Sequence, residues 1–188
     1  MYNIFQSVVL HQNIKIDNNK LLKYVYKIKK QDKGRILSNE GGWQSLEIDE
    51  NQKELEELKN NIEKKLLEYL DNIKLKHSKN YVYNIWLNIN GYKDSNVLHN
   101  HPWSIVSGVY YIKTPSKCGD LVLHHPCREI GPEWHRLIIE YNPANSATWT
   151  LPVAEGDLVL FPSWLYHSVN SNLNKEDVRV SIAFNICG

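Results

Sequence analysis

The sequence predicts a mainly β protein, an antiparallel sandwich or jelly roll that carries helices on one face. Apolar residues recur at helical spacing in two stretches that both lie before residue 76. After residue 79 the chain changes to short β-branched and aromatic runs separated by Gly, Pro and Asn. Helices followed by many short strands are typical of this architecture.

Two amphipathic helices are expected in the N-terminal part. The first lies within NNKLLKYVYKIKKQDK at 18–33, where apolar side chains repeat at helical spacing. The polar stretch at 35–49 is broken by a Gly-Gly pair and is predicted to be a loop. The second helix spans about 52–75 and has Glu and Lys opposite an apolar face, which consists of Leu55, Leu58, Ile62, Leu66 and Leu70.

The remainder of the chain is predicted to form strands. They are expected at 81–90, 104–113, 119–125, 136–141, 147–153, 156–161 and 178–185. Since the sequence contains no repeat and no low-complexity linker, residues 1–188 are expected to form a single domain. In it, the N-terminal segment and helices of 1–79 would buttress a β core of 80–188. A separate helical module is the alternative.

Composition excludes several classes of protein. The 22 basic and 21 acidic residues give a net charge of +1, so no broad positive field favours general nucleic-acid binding. No 18-residue apolar run and no signal-peptide pattern occur, which argues against a membrane-spanning or secreted chain. An odd number of cysteines without a C-x-x-C pair predicts reduced thiols in a cytoplasmic protein, at Cys118, Cys127 and Cys187.

The first group with metal chemistry is His99-Asn100-His101-Pro102. Side chains two positions apart on a strand project from the same face, so both imidazoles could reach one metal ion. Imidazole suits Fe, Zn, Cu and Ni, and a facial set of three protein ligands with open positions is how oxygen-activating iron is held. Chance clustering of surface histidines is the alternative for this pair.

The second group is GDLVLFPSWLYH at 156–167. A Gly-Asp turn begins an apolar strand, Pro162 ends it, and His167 follows five residues later. This spacing resembles the second motif of cupin-like, double-stranded β-helix proteins, in which that histidine is a metal ligand from the opposite side of the barrel. The alternative for His167 is a core histidine bonded to a tyrosine.

The third group is Arg179-Val180-Ser181. Arg179 and Ser181 share one face of a predicted strand, and a guanidinium fork beside a hydroxyl could seat a carboxylate in an apolar barrel. A structural ion pair between Arg179 and an acidic residue of a neighbouring strand is the alternative.

Together these groups resemble the 2-oxoglutarate and Fe(II)-dependent oxygenase superfamily. More narrowly, the chain is similar over residues 84–187, and again at 38–45, to a family of small bacterial and phage 2OG-Fe(II) oxygenases with H-x-H before S-G-x-Y-Y. The similar segments are WLNIN, HNHPWSIVSGVYYI, GDLVLFPSWLYHSV and RVSIAFN. The resemblance implies a distorted jelly roll with a double-stranded β-helix core. It also implies one Fe(II) held by His99, His101 and His167.

The cosubstrate implied by the resemblance is 2-oxoglutarate, bound to the metal through its 1-carboxylate and keto oxygen. Its other carboxylate would pair with Arg179 and Ser181, and Asn88, eleven residues before His99, is a further candidate for the pocket. The implied reaction is O2 activation, decarboxylation of 2-oxoglutarate to succinate and CO2, and oxidation of a prime substrate, usually hydroxylation. The sequence does not identify that substrate, whose contacts are expected from loops at 38–46 and 127–147.

One position departs from the superfamily. His101 stands where most members carry an aspartate, and His124 or His125 could instead supply the third ligand, although one packed and one solvated ring is the plainer interpretation of that pair. Two rival functions follow. One is a cupin-type metalloprotein that binds or isomerises a small molecule without 2-oxoglutarate, which leaves Arg179 and Ser181 without a role. The other is a structural or binding protein that keeps the barrel but has lost its metal, because His101 replaces the usual acid.

Overall fold

The computed structural model describes residues 4–78, 80–127, 134 and 136–188. These form two helices and eleven strands in the order β1 Leu10–Asn13, α1 Asn18–Lys29, β2 Asn39–Glu40, β3 Trp43–Gln44, α2 Glu56–Asn72, β4 Val82–Asn90, β5 Ser95–His99, β6 Val106–Lys113, β7 Leu121–His124, β8 Thr148–Leu151, β9 Asp157–Pro162, β10 His167–Val169 and β11 Arg179–Cys187. No helix of this part of the chain is long and apolar enough to cross a membrane.

Both predicted helices are present. The side chain of Asp17 accepts a hydrogen bond from the backbone N–H of Lys20 and so caps the start of α1. Glu56 and Glu57 lie in the first turn of α2, where carboxylates interact favourably with the helix dipole. The apolar stripe of α2 is buried as predicted, through Leu58, Ile62, Leu66 and Leu70, with Tyr69 beside them.

The strands form two antiparallel sheets, which confirms the predicted double-stranded β-helix. The six-stranded sheet has the order β1-β9-β6-β11-β4-β3, and the five-stranded sheet has the order β2-β5-β10-β7-β8. Most neighbouring strands are not consecutive in the chain, the exceptions being the pairs β3–β4 and β7–β8, so residues distant in sequence meet in the space between the sheets.

The six-stranded sheet has two different faces. We call the face that packs on α1 and α2 the outer face, and it carries apolar side chains such as Leu87, Ile182 and Phe184, which join the helices in one buried cluster. The inner face looks toward the five-stranded sheet and carries the alternate residues. The strand period of two therefore separates the apolar core from the polar residues of the site.

The loop predicted at 35–49 contains two short strands that join different sheets. β2 pairs with β5 and β3 pairs with β4. Between them, Gly41 and Gly42 have φ of +70° and +66°, and a Cβ on Gly42 would lie 2.9 Å from the carbonyl oxygen of Ile89. Only glycine fits this passage between the sheets. Three strands thus lie within 1–79, and the division of the domain at residue 79 stays a prediction.

The strand predicted at 136–141 is wrong. This stretch forms turns and bends, with the side chains of Leu137 and Ile139 exposed to solvent. Its apolar residues resemble a strand in composition, but no strand among the described residues pairs with them.

Candidate metal and cosubstrate site

The structure brings His99, His101 and His167 together between the two sheets. One ligand atom from each ring lies within 4.8 Å of those of the other two. His99 ends β5 and stands directly opposite His167, which begins β10. The ring centroids of His99 and His167 are 4.3 Å apart, which is closer than either is to His101, although the two residues are 68 positions apart in the sequence.

The position of His101 corrects the prediction that both histidines of H-x-H lie on one strand. β5 ends at His99, and His101 lies two residues beyond it, directly before the turn at 102–103. Its backbone N–H donates to the carbonyl oxygen of Ser163 at 2.9 Å. This contact fixes the turn against the segment before His167, so the ring reaches the other two from the end of the strand and not from its face.

An irregularity in β5 directs His99 inward. Asn96 pairs with Val169 and His99 pairs with His167, so three steps along β5 match two along β10. The extra residue is a β-bulge, and it brings Asn96 and His99, three positions apart, to the same side. Both line the cavity between the sheets.

The three rings are electrically neutral near pH 7. Burial lowers the pKa of His99 below its ordinary range. Burial and the proximity of His99 lower the pKa of His101 to about 4 and that of His167 to about 3. A neutral imidazole keeps a lone pair on one nitrogen, which is the form that binds a metal.

Two of the rings have a defined orientation. Nδ1 of His99 lies 2.7 Å from the carbonyl oxygen of Val97, and Nδ1 of His167 lies 3.0 Å from that of Leu165. A carbonyl only accepts, so each Nδ1 carries the proton and each Nε2 is left free. Hydrogen bonds of this kind orient metal-binding histidines in proteins.

Arg179 is a buried cation on the inner face. Its side chain is 2% exposed, and Nη1 donates to the carbonyl oxygens of Cys118 and Gly119 at 2.9 and 3.0 Å. No carboxylate forms an ion pair with it among the residues that the structure describes. The alternative of a structural ion pair is therefore not observed in that part of the chain.

Polar side chains lie in one cross-strand row next to Arg179. Ser181 of β11 is paired with Asn88 of β4 on one side and with Tyr111 of β6 on the other. All line the same cavity of about 60 Å³ together with the three histidines. Within the described ranges, their side chains form no hydrogen bonds with the protein.

The donor set fits a metal ion and a dicarboxylate. Three neutral imidazoles converge at one end of the cavity, and a cation with neutral hydrogen-bonding groups lies along its wall. Sequence reasoning missed Trp86, Asn90 and Asn96 as lining residues. Trp86 and Asn90 are two positions either side of Asn88, so strand periodicity alone could have found them.

The rival ligands lie elsewhere. Nε2 of His124 is 3.0 Å from the hydroxyl of Ser168, and Nδ1 of His125 contacts the backbone of Cys127. Neither joins the group of converging ligand atoms within the described residues. Of the predicted substrate loop at 127–147, residues 128–133 and 135 lie outside the described residues.

Residues 84–185 match the family described as "Putative 2OG-Fe(II) oxygenase", which is more than half of the chain. No curated protein sequence is detectably similar to the chain.

Several solved structures share the fold. A prolyl-4-hydroxylase from Pseudomonas putida aligns with a TM-score of 0.68 and 13% identity, over 95% of this chain and 91% of that one. HygX from Streptomyces hygroscopicus, solved with nickel and 2-oxoglutarate bound, aligns with a TM-score of 0.65 and 10% identity, over 96% of this chain and 83% of that one. A prolyl hydroxylase from Trichoplax adhaerens, in complex with a hypoxia inducible factor peptide fragment, aligns with a TM-score of 0.61 and 13% identity, over 95% of this chain and 83% of that one. At these identities the likeness concerns the fold.

Proposed function

The chain belongs to the 2OG-Fe(II) oxygenase family, and from that premise we propose that it hydroxylates a prime substrate at the site between its sheets. It is a 2-oxoglutarate-dependent dioxygenase that uses Fe(II). In our proposal His99, His101 and His167 hold the iron, and Arg179 and Ser181 hold the far carboxylate of 2-oxoglutarate. When bound, the iron supplies O2 activation coupled to decarboxylation of 2-oxoglutarate to succinate and CO2.

The buried, unpaired guanidinium of Arg179 is the observation that carries this proposal. A buried charge without a counter-ion costs several kcal/mol, and proteins rarely keep one. A guanidinium has five N–H donors, and only Nη1 of Arg179 is bonded to the protein in the described structure. A carboxylate at this place would satisfy the remaining donors with charge-assisted hydrogen bonds. A metalloprotein that does not bind 2-oxoglutarate would give Arg179 no carboxylate to bond in the described part of the chain.

The residues beside Arg179 orient the cosubstrate. The hydroxyl of Ser181 can donate to the same carboxylate, because it lies two positions along the same face of β11. Asn88 and Tyr111 flank Ser181 and can donate to oxygens of a bound dicarboxylate. Apolar walls, to which Leu121 and Phe161 contribute, keep water away from these bonds and strengthen them.

The size of the cavity supports a prime substrate that stays largely outside. About 60 Å³ is far below the roughly 300 Å³ or more of pockets that enclose a drug-sized ligand. The substrate therefore presents one group to the metal from the rim. Hydroxylation as the outcome is supported by two similar structures that are prolyl hydroxylases, and the three unpaired cysteines support a reducing, cytoplasmic compartment.

Anaerobic titration with Fe(II) and then 2-oxoglutarate tests the proposal. The iron chelate of 2-oxoglutarate gives a weak visible charge-transfer band, and we expect this band in the wild-type protein. Its absence from iron-loaded protein would contradict the proposed function.

Replacing the buried cation separates the cosubstrate from the metal. Arg179→Ala should weaken 2-oxoglutarate about 100-fold or more, since a charged, buried partner is removed, and leave Fe(II) affinity within about twofold. Arg179→Lys keeps the positive charge but not the forked guanidinium, so its affinity for 2-oxoglutarate should lie between those of the wild type and Arg179→Ala. Both affinities are measured by calorimetry under argon. An equal loss of iron and 2-oxoglutarate binding in Arg179→Ala would mean that Arg179 is structural.

A further inference from the structure

The three candidate ligands are held in different ways. His99 and His167 each bond a backbone carbonyl through Nδ1. The ring of His101 forms no hydrogen bond with any residue that the structure describes. Its backbone is anchored to Ser163, but that contact leaves the side chain free to rotate about its own bonds. Something other than a hydrogen bond must orient this ring for it to act as a ligand.

Trp86 packs against His101 from outside the group of candidate ligands, whose other two rings, His99 and His167, each have centroids 5.0 Å from that of His101. The centroids of the two rings are 5.6 Å apart, and the ring planes are inclined by 55°. Trp86 lies on the inner face of β4, and the residue paired with it on β11 is the small Ala183, which leaves room for the indole above the sheet. The indole N–H has no hydrogen-bond partner in the described ranges, so the contact with His101 is one of ring against ring.

We propose that Trp86 is a positioning residue that orients the ring of His101 toward the metal by packing against it. This inference rests on the proposed function. Ring packing restricts the plane of the imidazole, but unlike a carbonyl at Nδ1 it does not select which nitrogen carries the proton. The bulk and flatness of the side chain at position 86 therefore control how well the third ligand is placed, and the polarity of the indole does not.

Phe161 supplies a matched control within the same cavity. Its ring packs on His167 with centroids 4.7 Å apart, which is a closer contact than that of Trp86 with His101. His167 is also held by the carbonyl of Leu165, so loss of the aromatic contact should disturb it less. The comparison of the two aromatic residues separates ring orientation from general packing of the cavity.

The experiment is a titration of the full chain with Co(II), followed by the visible d–d spectrum, which reports the number of protein ligands. Trp86→Leu should weaken Co(II) about tenfold, as loss of an orienting contact commonly does, and give the spectrum of His101→Ala. Trp86→Phe keeps an aromatic ring and should stay within about threefold of the wild type. Phe161→Leu should weaken Co(II) less than Trp86→Leu does and should not give the spectrum of His101→Ala, and thermal melts of each variant confirm that it is folded.

Two results would overturn the inference. One is a Trp86→Leu protein that binds Co(II) like the wild type while His101→Ala loses affinity. The other is equal loss in Trp86→Leu and Phe161→Leu, which would assign the effect to cavity packing. If Trp86→Leu does not fold, proton NMR of the Co(II)-loaded wild type tests the inference instead. Only His99 and His167 should then show slowly exchanging ring N–H signals. A third such signal, from His101, would contradict the inference. A wild-type protein that binds no Co(II) would instead refute the proposed function.

Discussion

The outer and inner faces of the six-stranded sheet are built from the same strands and differ in almost every property. On β11, Val180, Ile182 and Phe184 point to the helices and are fully buried in an apolar cluster. Arg179 and Ser181 alternate with them and point to the cavity. One strand therefore contributes to stability through one set of positions and to ligand binding through the other.

This difference implies that the two properties can be changed separately. Apolar burial on the outer face contributes stability in proportion to the area removed from water. The inner face carries a buried charge and polar groups without protein partners, which contribute little to folding and are available to a ligand. Substitutions on neighbouring positions of one strand should consequently have unlike effects.

The largest effect is expected from Phe184→Ala on the outer face. Phe184 is fully buried, and its ring fills the space beside Gly108, where a Cβ would lie 2.5 Å from it. The cavity left by its removal should lower the free energy of unfolding by about 3–5 kcal/mol, measured by urea denaturation. At a temperature where the variant is folded, its affinity for 2-oxoglutarate should match the wild type. A tenfold loss of that affinity would show that the two faces are coupled.

The next effect is expected at the start of β9, where Asp157 is the first residue of the strand. Burial opposes ionisation of this carboxyl, but hydrogen bonds from Asn13, His11 and the backbone N–H of Ala154 outweigh it and lower the pKa below its ordinary value. The ionised form is thus favoured in the folded protein. Its contribution to stability is present above the ordinary pKa of about 3.9 and is lost as the pH falls through the lowered pKa.

Asp157→Asn should therefore unfold more easily at neutral pH, by about 1–2 kcal/mol. The difference from the wild type should shrink below about pH 4, where the wild-type carboxyl also becomes protonated. Thermal melts of both proteins across this pH range measure the difference. A gap that stays constant with pH would assign the loss to altered geometry at the start of β9.

The smallest effect is expected from Ser181→Ala on the inner face. Removal of one hydrogen bond to a charged ligand should weaken 2-oxoglutarate about tenfold. The free energy of unfolding should stay within about 0.5 kcal/mol of the wild type, because the hydroxyl has no partner in the described protein. If Ser181→Ala instead destabilised the chain as strongly as Phe184→Ala, the inner face would be part of the folding core.

The spacing of residues in the sequence was sufficient to predict those parts of the fold and the site that depend on helix or strand periodicity. The stripe on α2, the alternation along β4 and β11, and the shared face of Arg179 and Ser181 follow from residue spacing alone. The contact of Trp86 with His101 and the place of Tyr111 beside Ser181 depend on which strands become neighbours. The strands β2 and β3 are too short to show a period in the sequence. Residues 136–141 have the composition of a strand but form none, because no described strand pairs with them.

The bulge in β5 makes the site depend on the number of residues in that strand as well as on their types. Asn96 and His99 share the cavity because the strand is one residue longer than its partner between them. A chain that lost Val97 or Leu98 would still contain all three histidines in order, and a motif search would still find them. In such a chain, regular pairing would still direct His99 inward by ordinary alternation, whereas regular pairing over the present interval of three would turn it away from the cavity. The bulge is therefore information that residue identity does not carry.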